Sequence, residues 1–77
     1  MRPPSIRGKA FRLYCALVAH RGRVVSPSLL MQLADIPTPQ ALNTHLRSLR
    51  DALVNTPDEI VTHALQGYML RKREEPL

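Results

Sequence analysis

A mainly α fold, three helices followed by a small β-hairpin, is what this 77-residue chain predicts. Three observations carry the prediction. Leu42, Leu46, Leu49 and Leu53 recur at spacings of four, three and four, which stacks them along one side of a helix. A cap-then-proline signal occurs twice, at Ser26-Pro27 and Thr38-Pro39, and marks two helix starts. Two short runs of strand composition, Ile60 to Ala64 and Tyr68 to Leu70, flank Leu65-Gln66-Gly67, which can turn the chain back on itself.

Each element follows in order. Met1 to Ser5, with two prolines, is expected to be a loose lead-in. From Gly8 to His20 no breaker interrupts the chain. Phe11, Leu13, Tyr14, Leu17 and Val18 give this first helix a broad apolar face, with Lys9, Arg12 and Ala16 on a narrower outer face. Arg21-Gly22 supplies the stop, because glycine takes the left-handed conformation that closes a helix. Arg23-Val24-Val25 favours a short strand.

Leu29, Leu30, Leu33 and Ala34 give the second helix an apolar side that ends near Asp35. Pro37 and Pro39 make a turn short enough to set the second and third helices at an angle, as a helix-turn-helix pair. The third helix, Thr38 to Leu53, fades near Val54-Asn55, and Pro57-Asp58 is a turn. After Leu70 the charged stretch RKREEPL is expected to fray. The expected organisation is a lead-in over residues 1–5, one domain over 6–71 and a charged tail over 72–77.

Composition narrows the function. A hydrophobic fraction of 44% with only three aromatics predicts a compact aliphatic core, and an enzyme cleft is hard to house beside it in so short a chain. Cys15 has no cysteine partner and lies in the apolar run Leu13 to Val18, where it reads as a small core residue. No apolar run reaches the length of a membrane span, and the N-terminus lacks the hydrophobic region of a secretory signal, so a cytoplasmic setting is expected. The net charge of +5 favours an acidic partner, nucleic acid before membrane. That charge is uneven: residues 1–34 hold six basic side chains and no acid, whereas residues 35–70 are net acidic.

Catalytic and metal chemistry find no footing. His20, His45 and His63 lie 25 and 18 positions apart and match no zinc-finger or metalloprotease spacing. Cys15 and His20, five apart on one helix, point to different sides. The three glycines form no phosphate loop or dinucleotide fingerprint, and the adjacent Asp58 and Glu59 diverge. No cofactor is expected, and the chain reads as a binding module, not an enzyme.

The third helix carries the binding chemistry. Gln40, Asn43, Thr44, Arg47 and Arg50 fall outside its leucine side, and their amides and guanidinium groups suit base edges or phosphates. The blander reading, a polar face that merely solvates the helix, applies to most amphipathic helices; the rest of the chain tips the balance.

The order helix, short strand, helix, helix, hairpin is that of a winged helix. The residues also resemble the DNA-binding domain of OmpR/PhoB-type response regulators. The resemblance begins at Ile6 with I-x-x-x-x-F-x-L-Y-x-x-L and continues through H-R-G-R-V-V-S-P-x-x-L from His20 to Leu30. It then takes in H-L-R-S-L-R-D-A-L from His45 to Leu53 and closes on I-V-T…G-Y from Ile60 to Tyr68, nearly the whole chain. It implies a transcriptional regulator of double-stranded DNA whose third helix enters the major groove, whose wing approaches the backbone, and which binds direct repeats as a homodimer. Position by position, the groove-facing set is Gln40, Asn43, Thr44, Arg47 and Ser48, with Arg50 near the backbone and Thr62 on the wing against phosphate. From their charge, Lys9, Arg12, Arg21, Arg23, Arg71, Lys72 and Arg73 are further expected phosphate contacts if they lie on the same side as the third helix. Without a receiver domain, phosphorylation control of the usual kind is not expected.

Three departures weaken the DNA reading. The family usually has basic residues where this chain has Ser48 and Asp51, and a wing arginine where it has Ala64. Each loss removes a contribution to affinity that grows with the number of phosphates neutralised. The alternative is therefore an interaction module that docks on another regulator or on RNA polymerase.

Overall fold

The computed structural model describes residues 7–73. The expected lead-in and the end of the tail, 74–77, lie outside the described residues. Helix α1 spans Gly8–Ala19, α2 Pro27–Ala34 and α3 Pro39–Leu53; strands β1 (Asp58–His63) and β2 (Gly67–Lys72) pair antiparallel as a hairpin. Three helices and a two-stranded wing are the architecture of a winged helix-turn-helix.

Both cap-then-proline signals work as capping chemistry. Ser26 Oγ accepts from Leu29 N–H at 3.2 Å and Thr38 Oγ1 from Ala41 N–H at 3.1 Å, each satisfying a donor that lacks an intrahelical partner. At the other end of α2 the left-handed Asp35 turns the chain. Its N–H bonds Gln32 O while Ile36 N–H bonds Met31 O, the paired pattern of a Schellman close, and Ile36 drops into the core. Lys9 donates to the Asp35 carbonyl and lies 3.6 Å from its carboxylate, tying the start of α1 to this turn.

The core is aliphatic. Leu13 and Leu17 of α1, Leu30 of α2, the four leucines of α3, and Ile60 and Leu70 of the hairpin are buried together. Among the described residues no polar or charged side chain is fully buried.

The structure corrects the reading of α1. Its buried side runs through Ala10, Leu13, Ala16 and Leu17, so Ala16 is a core residue and not part of the outer face. Phe11, Cys15 and Val18 repeat the same helical spacing on the opposite side and are exposed. A helix apolar on two sides has no unique periodicity signal, which is why Cys15 looked internal. Leu29 and Leu33 are likewise exposed, because Leu30 and Ala34 are the α2 residues that reach the core.

The strand expected at 23–25 reduces to one antiparallel bridge, Val25 with Tyr68, closed by two backbone hydrogen bonds of 2.7 and 2.9 Å. The hairpin is longer than expected. Asp58 opens β1 instead of forming a turn, and Arg71 and Lys72 continue β2 where fraying was expected. The connecting loop is Ala64-Leu65-Gln66, with Leu65 left-handed and fully exposed at its tip.

One ion pair locks the base of the wing to the end of α1. Arg21 donates to both carboxylate oxygens of Asp58, at 2.9 and 3.1 Å. That hydrogen bonding, outweighing desolvation, holds the Asp58 carboxyl below the ordinary aspartate range and raises the Arg21 guanidinium. A carboxyl with a lowered folded-state pKa stabilises the fold above the unfolded-state value and loses that contribution as pH falls through the folded value. Asp58→Asn is therefore expected to melt below wild type at pH 7 and pH 5, with the gap closing below about pH 4. Thermal melts across that range check it, and a pH-independent gap would count against the ion pair.

Candidate nucleic-acid interface

Burial of Leu42, Leu46, Leu49 and Leu53 fixes the rotation of α3 about its axis. Turning outward are Gln40, Asn43, Thr44, Arg47, Ser48 and Arg50, all exposed. Thr44 spends its hydroxyl proton on the Gln40 carbonyl at 3.1 Å, one turn back, which leaves its methyl and lone pairs outward. Arg47 makes no hydrogen bond or ion pair among the described residues and stands at the centre of this surface.

The wing is brought against one side of the helix by register. Pairing of Ile60 with Leu70 and of Thr62 with Tyr68 puts these four on the face of the hairpin that meets the helices. Ile60 and Leu70 are buried there, while Thr62 lies further out. Arg50 reaches across and donates to Thr62 Oγ1 at 2.6 Å. Between α3 and the wing lies a cleft of about 470 Å³ lined by Asn43, Leu46, Arg47, Arg50, Asp51, Thr62 and Tyr68.

The structure thus brings Asn43, Arg47, Arg50 and Thr62 to one cleft, with Thr44 in an adjoining hollow beside Asn43 and Arg47, while Gln40 and Ser48 are exposed on α3 outside it. It disperses the other expected phosphate contacts. Lys9 is engaged with Asp35, Arg21 with Asp58, and Arg71 with Glu59 at 3.2 Å. Arg73 donates to the backbone carbonyls of Val54 and Asp58. Arg12, Arg23 and Lys72 are exposed, but Arg12 lines a different hollow, with Phe11, Cys15 and Leu33 between α1 and α2.

Sequence reasoning missed two contributors. From sequence Tyr68 reads only as a strand residue, because its place in the cleft depends on cross-strand pairing with Thr62. Asp51 reads from the family resemblance only as a departure, yet its signal is legible: Gln40, Thr44, Arg47 and Asp51 repeat the four-three-four spacing of the leucines.

Comparison with known proteins decides the family. The family model described as "Transcriptional regulatory protein, C terminal" matches residues 2–70. The chain belongs to that family. This regulatory-protein C-terminal domain is a DNA-binding domain of transcriptional regulation and not an enzyme. No curated protein matches the chain closely enough to count as a relative. Among the described residues of the domain, no helix is long and apolar enough to cross a membrane, and no three His, Cys, Asp or Glu side chains are grouped to hold a metal.

Proposed function

We propose that this domain binds double-stranded DNA sequence-specifically, with α3 in the major groove and the wing against the adjoining backbone. The observation that carries the reading is the continuity of one surface from α3 to Thr62, closed by the 2.6 Å Arg50–Thr62 bond. Gln40, Asn43, Thr44, Arg47 and Ser48 face the bases, and Arg47 suits the O6 and N7 acceptors of a guanine. Arg50 and Thr62 together present donors to a phosphate at the groove edge. Binding as a pair on direct repeats, in a cytoplasmic setting, belongs to the same reading.

Because most other cations are engaged internally, few phosphates are neutralised. Anisotropy titrations on a labelled duplex pool are expected to give a log–log salt slope of about −2 to −4, at about 0.9 per phosphate. Absent or salt-insensitive binding at low salt would remove the reading.

The hollow between α1 and α2 favours a second reading, docking on another regulator or on RNA polymerase. Phe11 and Leu33, 50% and 46% exposed, flank Cys15 there, and paired exposed hydrophobes of this kind mark protein contacts more often than scattered ones do. Affinity capture with purified RNA polymerase, with and without nuclease, tests it. Capture that disappears with nuclease would show a DNA bridge instead of docking.

A further inference from the structure

We infer that Asp51 is a specificity-determining residue of the α3 surface, a carboxylate that selects cytosine in the major groove. This rests on the DNA-groove reading above and adds a base that the helix chooses.

Position comes first. Asp51 ends the outward stripe that begins at Gln40 and passes through Thr44 and Arg47, directly opposite the buried leucines, and it is exposed. It lines the same cleft as Arg47, Arg50 and Thr62. Any duplex that meets Arg47 therefore meets Asp51 one turn further on.

Its carboxylate is uncommitted. Arg47 is one turn back and Arg50 is its immediate neighbour, yet among the described residues Asp51 takes part in no ion pair or side-chain hydrogen bond; Arg50 is directed to Thr62 instead. Nor does the helix gain from it. Asp51 sits in the last turn of α3, where the helix dipole favours a cation and an acid is unfavourable. Neither packing, pairing nor helix electrostatics accounts for an aspartate here.

Chemistry then selects the base. An ionised carboxylate only accepts hydrogen bonds, so phosphates, guanine N7 and O6, and thymine O4 all repel it. The donors on the major-groove edge are cytosine N4 and adenine N6. Adenine flanks its amino group with acceptors on both sides, its own N7 and the paired thymine O4, whereas cytosine N4 has an acceptor on one side only, the paired guanine O6. Asp51 thus lowers affinity for DNA in general and restores it where a cytosine stands opposite.

The test uses the full chain. Wild type selects duplexes from a randomised pool, and the selected site is then remade with each of the four bases at every position. Wild type, Asp51→Ala and Asp51→Asn are titrated on these and on an unrelated duplex. Both substitutions lie on an exposed helix position and suit the last turn at least as well as aspartate, so both variants should fold, which far-UV circular dichroism verifies.

Wild type is expected to prefer cytosine at one position by about 5- to 150-fold. Asp51→Ala should lose that preference while binding the unrelated duplex several-fold more tightly and with a steeper salt slope. Asp51→Asn should shift the preference toward adenine, because an amide pairs with N6 and N7 together. If Asp51→Ala tightens binding to every duplex equally, or leaves the cytosine preference intact, the inference is overturned while the DNA reading stands. Wild type that binds no duplex at low salt overturns both.

Discussion

Gly67→Ala is expected to lower the thermal midpoint by about 10–25 °C, and it is the only one of the three glycines where an added Cβ would meet another atom. Gly67 opens β2 at φ +143°, a conformation L side chains rarely adopt, and a Cβ there would be driven into the backbone carbonyl of Val25. That carbonyl accepts from Tyr68 N–H and cannot swing aside without breaking the bridge that joins the 22–25 segment to the wing. Backbone strain of about 1–3 kcal/mol and two weakened hydrogen bonds of about 1 kcal/mol each add to several kcal/mol. A domain of this size holds on the order of 4–12 kcal/mol in all. Thermal unfolding followed by circular dichroism reads the loss directly. A midpoint within 2–3 °C of wild type, against about 4–8 °C for each kcal/mol in a domain this small, would show that the bridge yields to the methyl group.

Arg47→Ala is expected to abolish sequence preference at one base pair, a loss of about 1–3 kcal/mol in discrimination, while leaving the fold intact. The side chain is exposed and makes no hydrogen bond or ion pair among the described residues, and alanine is the stronger helix former. Two measurements separate its roles. If Arg47 pairs with guanine, the variant loses affinity for the preferred duplex far more than for an unrelated one. If it meets only phosphate, affinity falls uniformly and the salt slope shrinks by about one unit. Unchanged titrations on both duplexes would remove Arg47 from the interface.

The charge distribution shows why formal charge is a poor guide to the interface. Residues 1–34 carry six basic groups and no acid, of which Lys9, Arg12, Arg21 and Arg23 are expected phosphate contacts if they share the side of α3. In the fold, Lys9 meets Asp35 and Arg21 meets Asp58, across 26 and 37 positions of sequence. Cations held in such pairs contribute to DNA binding only by giving up their partners. On the proposed DNA reading, that leaves Arg47 and Arg50 of α3 beside the exposed Arg12, Arg23 and Lys72, so the absence of a cation at Ser48 and Asp51 bears directly on affinity.

Local chemistry was legible in the sequence wherever one segment carried the whole signal. The limits of α3 followed from Thr38, Pro39 and the leucine spacing, since a cap and a 3.6-residue period are properties of contiguous residues. The family followed from ordered motifs along most of the chain. Less legible were the faces of α1 and α2, where apolar residues on two sides left periodicity undecided and Cys15, Phe11 and Leu33 proved exposed.

What the sequence by itself determined is the three helices and the hairpin, the start and buried side of α3, and the kind of side chain it turns outward. Tertiary structure alone decided that β2 runs on to Lys72, that Tyr68 stands beside Thr62, that Arg50 is tied to the wing, and which arginines are engaged with acids. The division has a physical cause. Capping and helical periodicity act over a few residues, whereas strand register and ion pairing join groups whose separation in sequence carries no trace of their separation in space.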